Sequence, residues 1–202
     1  MIDIAKIDFS KDPSGLVPAV VQDDRTLQVL MLGYMNAEAL EITLNSGFVT
    51  FFSRSRQTLW TKGETSGNHL RLVSVNSDCD NDTLLVRAIP EGPVCHMGTM
   101  TCWGDAIPES TGFIRALETV IKQRHKDMPE GSYTTSLFNA GIPRMAQKVG
   151  EEAVETVIEA VKGDDARLLY EASDLVYHLL VLLEGKGMGI SDLERELLRR
   201  HK

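Results

Sequence analysis

Apolar residues come in short runs through the first half of the chain and recur at helical spacing through the second. Residues 16–22 and 27–32 are β-type runs separated by Asp23-Asp24-Arg25-Thr26, which predicts a hairpin with a four-residue loop. Asn36 is placed to cap a short helix reaching about Asn45, and Gly47 stops it. Phe48–Ser53, Leu59–Lys62, Leu70–Asn76 and Thr83–Ile89 read as further strands, so this half is predicted to be α+β, mixed strands with one short helix. Gly104–Ser110 has no periodicity and contains Gly and Pro, the signature of a linker. Ser110 or Thr111 can cap a helix to about Lys126, and Pro129–Ser136 reads as a loop. Arg144–Lys162 is helical and ends at Gly163. Asp164 or Asp165 opens the next helix, through about Glu184, and Ser191 with Glu194 forms a capping box for the last. These four helices predict an all-α bundle, whose faces a second chain can help to bury. The expected division is a domain over 1–106, a linker over 107–111 and a domain over 112–202.

Composition narrows the function classes. A net charge of −8 argues against a nucleic-acid surface, and no apolar run approaches a membrane span of ~20 residues. The amino-terminal residues carry Asp3 and Asp8 and no apolar core, so they do not read as a secretory signal. An odd number of cysteines without export fits a reducing cytoplasm.

All three cysteines, Cys79, Cys95 and Cys102, fall within one short stretch, interleaved with Asp78, Asp80 and Asp82. If residues 78–82 are extended, the aspartates share one face and Cys79 points to the other. Hard oxygens suit Mg²⁺ and thiolates suit Zn²⁺. Three thiolates with no fourth fixed ligand match a catalytic zinc with an open position for water. His96, beside Cys95, is placed to move protons there. The helix-loop-helix calcium motif fails, because Thr83 and Ile89 stand where it needs Gly and Glu. Three unliganded cysteines remain the alternative. Arg54 and Arg56 fall at strand spacing, able to reach one phosphate or to line a solvated edge. Lys62-Gly63-Glu64-Thr65-Ser66-Gly67 offers amides, hydroxyls and a lysine, but it is not a P-loop and reads equally as a glycine-rich hairpin.

The helical half carries a second set of charges. Lys148, Glu151, Glu152, Glu155 and Glu159 occupy one arc of their helix. The following helix is apolar nearly all round, which predicts burial, yet Glu171, Asp174 and His178 share one stripe on it. His178 alone reads as a hydrogen-bonded core histidine. If the helices fold back at Gly163, Glu152 pairs in height with Asp174 and Glu155 with Glu171, at a rise of ~1.5 Å per residue. Carboxylates so gathered call for Mg²⁺, and Mg²⁺ with retained waters suits phosphoanhydride hydrolysis.

The runs DCDNDTLL and GPVCHMGTMTCW closely resemble phosphoribosyl-AMP cyclohydrolases, as do LMLGYMNAEAL, SRSR and LWTKGETSGN upstream, in the same order over about residues 15–105. That resemblance implies a zinc held by Cys79, Cys95 and Cys102 across a homodimer interface, and Mg²⁺ at Asp78, Asp80 and Asp82. It also makes Arg54, Arg56, Lys62, Thr65 and Ser66 substrate-binding candidates, with His96, Glu64 and His69 catalytic ones. KVGEE and DLVYH resemble phosphoribosyl-ATP pyrophosphatases among the all-helical nucleotide pyrophosphohydrolases, over about 112–202. This implies Mg²⁺ at Glu151, Glu152, Glu155, Glu171 and Asp174, with Lys148 on the substrate. Together the two imply a bifunctional enzyme of histidine biosynthesis acting on small nucleotides. Its second half would release pyrophosphate from phosphoribosyl-ATP, and its first would open the adenine ring at N1–C6 with zinc-bound hydroxide. Two rivals stand beside it: a metal-stabilised interaction module, and a helical half that clears non-canonical nucleoside triphosphates.

Overall fold

The computed structural model describes residues 2–106 and 110–201, so most of the expected linker over 107–111 lies outside the described residues. The chain divides into two compact units, Met1–Phe113 and Ile114–Lys202.

In the first unit, β1 (Val17–Asp23) and β2 (Val29–Met35) form the predicted hairpin, followed by α1 (Ala37–Ser46), β3 (Thr50–Ser53), β4 (Thr58–Thr61), β5 (Leu70–Ser77) and β6 (Leu84–Pro90). Asn36 accepts the Ala39 N–H at 2.8 Å, and Gly47 ends α1 at φ 76°. Four strands make one sheet in the order β2-β1-β6-β5, with β1 and β6 parallel and the other neighbours antiparallel, while β3 and β4 form a separate ribbon. Alternate residues of β1 and β6 are buried, and the core gathers Val17, Ala19, Val21, Leu84 and Val86 under α1 and Phe51. Gly33 sits so close to the Phe51 ring that a Cβ would lie 2.3 Å from it. On the sheet's opposite face, Leu32, Val20 and Leu85 form a row across three strands, and Leu32 is 47% exposed.

The second unit contains α2 (Phe113–Asp127) from its second residue on, with α3 (Tyr133–Lys162), α4 (Asp165–Gly185) and α5 (Ile190–Arg200). The predicted loop through Ser136 is shorter than expected. Ser132 caps a first segment of α3, accepting from the Thr135 N–H at 3.4 Å, and the helix breaks at Gly141, with φ 80° and ψ 177°. Pro143, two residues past the break, has no N–H to donate across it. The start of α5 also differs. Gly189 is its N-cap, and the Asp192 carboxylate accepts the Gly189 N–H at 2.9 Å, rather than Ser191 pairing with Glu194. Burial of α4 all round is not found. Leu180 and Val181 are buried with Ile121, Leu137 and Met145, whereas Leu169 is 70% exposed and Val161 of α3 84%. One chain supplies neighbours for only one side of this helix pair. Among the described residues, no helix is long and apolar enough to cross a membrane.

Candidate active sites

After β6 the chain turns back over the ribbon and opens a cleft of about 450 Å³, within the range that takes a small ligand. Lys62, Ser66, Asn68, Cys95, His96 and Cys102 line it. The Cys102 N–H donates to the Leu30 carbonyl at 2.8 Å, which anchors this loop to β2, and the Cys95 N–H donates to Thr99 at 3.0 Å. The Cys95 and Cys102 thiols lie within interaction range of each other. The Met97 N–H donates to the Cys95 sulfur and pulls its pKa down, whereas burial pushes the Cys102 thiol up. Lys62, lowered by its own burial, adds positive potential beside both. His96 is exposed, with Nδ1 3.9 Å from the Cys95 sulfur.

Cys79 does not line this cleft. It is exposed in the β5–β6 turn, its sulfur 3.9 Å from an Asp80 oxygen, and among the described residues the three thiols form no common cluster within one chain. The 78–82 segment is a turn rather than an extended strand, with Asn81 left-handed at φ 61°. The turn still brings ligand oxygens of Asp78, Asp80 and Asp82 within 4.8 Å of one another. Asp78 accepts the Asp82 and Thr83 N–H groups, each at 3.1 Å. Lys11 lies 2.5 Å from both Asp80 and Asp82 and lowers the pKa of Asp82.

The remaining first-unit candidates divide by position. Glu64 accepts the Thr61 N–H at 3.0 Å, and His69 Nδ1 lies 3.0 Å from the Lys62 carbonyl, so both brace the turn that carries Lys62. Gly63, at φ 94°, leaves no room for a Cβ, which would come within 2.6 Å of the Asn68 and His69 backbone. Thr65 is exposed on that turn, away from the cleft-lining residues. Arg54 and Arg56 sit in the tight β3–β4 turn, not at strand spacing, and Arg54 lies over the Tyr34 ring at 3.7 Å. Asn68 escaped the sequence reading. Only the fold brings Gly92 against it, where a Cβ would meet the Asn68 side-chain oxygen at 2.4 Å.

In the second unit, α3 and α4 run back from Gly163, left-handed at φ 80°. Ligand oxygens of Glu152, Glu155 and Glu171 come within 4.8 Å of one another. Glu152 and Glu171 are only 5% and 4% exposed. The pKa of the exposed Glu155 is raised by desolvation of its carboxylate and then by the neighbouring Glu152 and Glu171 carboxylates. Lys148 lies 2.5 Å from Glu152 and 2.9 Å from Glu151, while Arg167 lies 2.5 Å from Glu171. Glu151 turns to Gln147 at 2.8 Å and stays outside the cluster, as does the half-buried Asp174. Sequence reasoning missed Arg167 and Tyr133 here. The Tyr133 hydroxyl is 3.4 Å from His178 Nε2, itself 3.8 Å from Glu152. His178 is a core residue, as read, but its Nδ1 finds no hydrogen-bond partner among the described residues.

Both donor sets suit the metals expected of them: soft sulfur beside a lysine in one unit, hard carboxylate oxygens in the other.

Comparison with known proteins adds a whole-chain likeness. The family model for phosphoribosyl-AMP cyclohydrolase matches residues 31–104, and that for phosphoribosyl-ATP pyrophosphohydrolase matches residues 114–201. A histidine biosynthesis bifunctional protein HisIE of Bacteroides thetaiotaomicron is 60% identical over 196 residues, 97% of this chain and 96% of the relative. HisIE proteins of Xanthomonas axonopodis and Vibrio parahaemolyticus are 53% and 55% identical, covering 98% and 93% of the chain and 95% and 90% of the relatives.

Proposed function

The chain belongs to the family of bifunctional histidine biosynthesis proteins that join a phosphoribosyl-AMP cyclohydrolase to a phosphoribosyl-ATP pyrophosphohydrolase, and we propose that it performs both reactions at separate sites. The second unit hydrolyses phosphoribosyl-ATP to phosphoribosyl-AMP and pyrophosphate. The first unit then opens the adenine ring of phosphoribosyl-AMP by adding water at C6 and breaking the N1–C6 bond. One observation carries the reading: thiols gather in a cleft of one unit and buried carboxylates gather in the other, so each chemistry has its own ligand set.

In the first unit Cys95 and Cys102 hold zinc, and Cys79 of a second copy completes the set, since Cys79 does not line the cleft of its own chain. Zinc there supplies acidified water near neutral pH. Lys62 steadies the sulfur charge, Ser66 and Asn68 meet the substrate, and exposed His96 carries protons at the rim. Glu64 and His69 act by shaping the Lys62 turn. Arg54 and Arg56 hold phosphate from the β3–β4 turn, and Thr65 approaches substrate from the exposed tip of its own. Asp78, Asp80 and Asp82 hold Mg²⁺.

In the second unit Glu152, Glu155 and Glu171 hold Mg²⁺, which neutralises phosphate charge and favours attack by water. Asp174 and Glu151 support that set from outside it, and Lys148 contacts phosphate. The apolar row at Leu32, Val20 and Leu85 and the exposed faces of α3 and α4 support a homodimer. Free thiols suit a reducing cytoplasm.

The test follows phosphoribosyl-ATP and, in a separate assay, supplied phosphoribosyl-AMP by absorbance with purified protein, with and without chelator, alongside two variants. Cys79→Ser is expected to abolish ring opening while pyrophosphate release survives, and Glu155→Gln to do the reverse. Loss of both activities in either variant contradicts separate sites. A helical half that prefers non-canonical nucleoside triphosphates over phosphoribosyl-ATP contradicts the substrate assignment.

A further inference from the structure

The segment before β1 precedes the part of the chain that the cyclohydrolase family model matches, which begins at residue 31. It nevertheless reaches the aspartate turn. The Asp8 N–H donates to the Asn81 carbonyl at 2.8 Å, fastening the segment to the turn's left-handed residue. Two side-chain turns flank Lys11: Asp8 accepts the Ser10 N–H at 3.1 Å, and Asp12 accepts the Ser14 N–H at 2.8 Å. Lys11 is presented between them, and its ammonium lies 2.5 Å from Asp80 and 2.5 Å from Asp82. A positive charge of the chain's own therefore stands between two of the three carboxylates assigned above to a divalent ion.

The ammonium and a divalent cation cannot share this position. Their repulsion at a few ångströms opposes joint occupancy, and two of the carboxylates a metal needs are the ones Lys11 engages. Lys11 is free to leave, because its side chain is 48% exposed on a flexible stem. Beside it lies a cleft of about 340 Å³ that Lys11, Asp12 and Tyr34 help to line.

We propose that Lys11 is the resident counter-cation of the aspartate turn, displaced when a divalent metal binds, so that metal binding frees Lys11 and loosens the segment around it. The inference rests on the reading of Asp78, Asp80 and Asp82 as a metal site. Lys11 then sets the metal affinity of that site and reports its occupancy.

Mn²⁺ binding to the full-length protein, measured by equilibrium dialysis, tests this together with acetylation of lysines read by mass spectrometry. Lys11→Met should bind Mn²⁺ at the turn about tenfold more tightly, the effect of losing two exposed ion pairs, while Lys11→Arg restores the weaker affinity. Mn²⁺ should raise Lys11 acetylation in the unaltered protein several-fold and leave Lys6 unchanged. Unchanged or weaker Mn²⁺ binding by Lys11→Met, or Lys11 acetylation indifferent to Mn²⁺, overturns the proposal while the metal site stands. If Asp80→Asn removes no Mn²⁺ at all, the turn binds no metal, and both the site and the role of Lys11 fall.

Discussion

The two acidic clusters solve one electrostatic problem in opposite ways. The aspartate turn is short, local in sequence and mostly exposed, with water screening its carboxylates. Its balancing charge, Lys11, comes from 69 residues before Asp80. The glutamate cluster joins two helices, and two of its three carboxylates are buried. Its balancing charges are helical neighbours, Lys148 one turn from Glu152 and Arg167 one turn from Glu171. Burial makes the second cluster the more demanding of the two, since a desolvated carboxylate without a partner is strongly unfavourable. Exposure lets the first exchange its cation without disturbing a core.

The sharpest way to break this contrast is to neutralise one member of the buried cluster. Glu152→Gln should slow pyrophosphate release by about a hundredfold or more, the scale of losing a charge-stabilising group, with ring opening on supplied phosphoribosyl-AMP unchanged. Parallel steady-state assays check it, and an equal fall in both rates would show that the clusters are coupled.

Packing offers the next test, because the sheet core closes within one chain and the helical faces do not. Phe51→Ala should destabilise the first unit by about 3–5 kcal/mol in urea unfolding, as a fully buried ring leaving a cavity. Leu169→Glu, at a site 70% exposed in one chain, should leave helix content intact. It should shift the protein towards monomers in sedimentation, if that face is where a second copy docks. A dimer of unaltered strength would place the interface elsewhere.

The smallest effect belongs to the hairpin that sets the glutamate register. Gly163→Ala should lower stability by about 1 kcal/mol, because the residue is left-handed at φ 80° and, among the described residues, a Cβ would meet no atom within 4 Å beyond the adjoining residues. A loss of several kcal/mol would mean that this turn does more than end a helix.

Much of the architecture was legible without coordinates. Short apolar runs marked β1 and β6, Asn36 and Gly47 bracketed α1, and the heights of Glu152, Glu155 and Glu171 about Gly163 anticipated three carboxylates that do converge. These features follow from backbone periods and capping groups, which act over a few residues and so leave a local trace in the sequence. Asp174 shared the predicted height yet lies outside the cluster, because helix rotation and side-chain reach, not rise, decide which groups meet. The aspartates converged through a turn instead of the extended strand expected. The parallel pairing of β1 with β6, the reach of Lys11 to Asp80 and Asp82, and the separation of Cys79 from Cys95 and Cys102 left no local signal. Contacts between distant residues are chosen by how the whole chain buries its apolar surface, and only the folded structure expresses that choice.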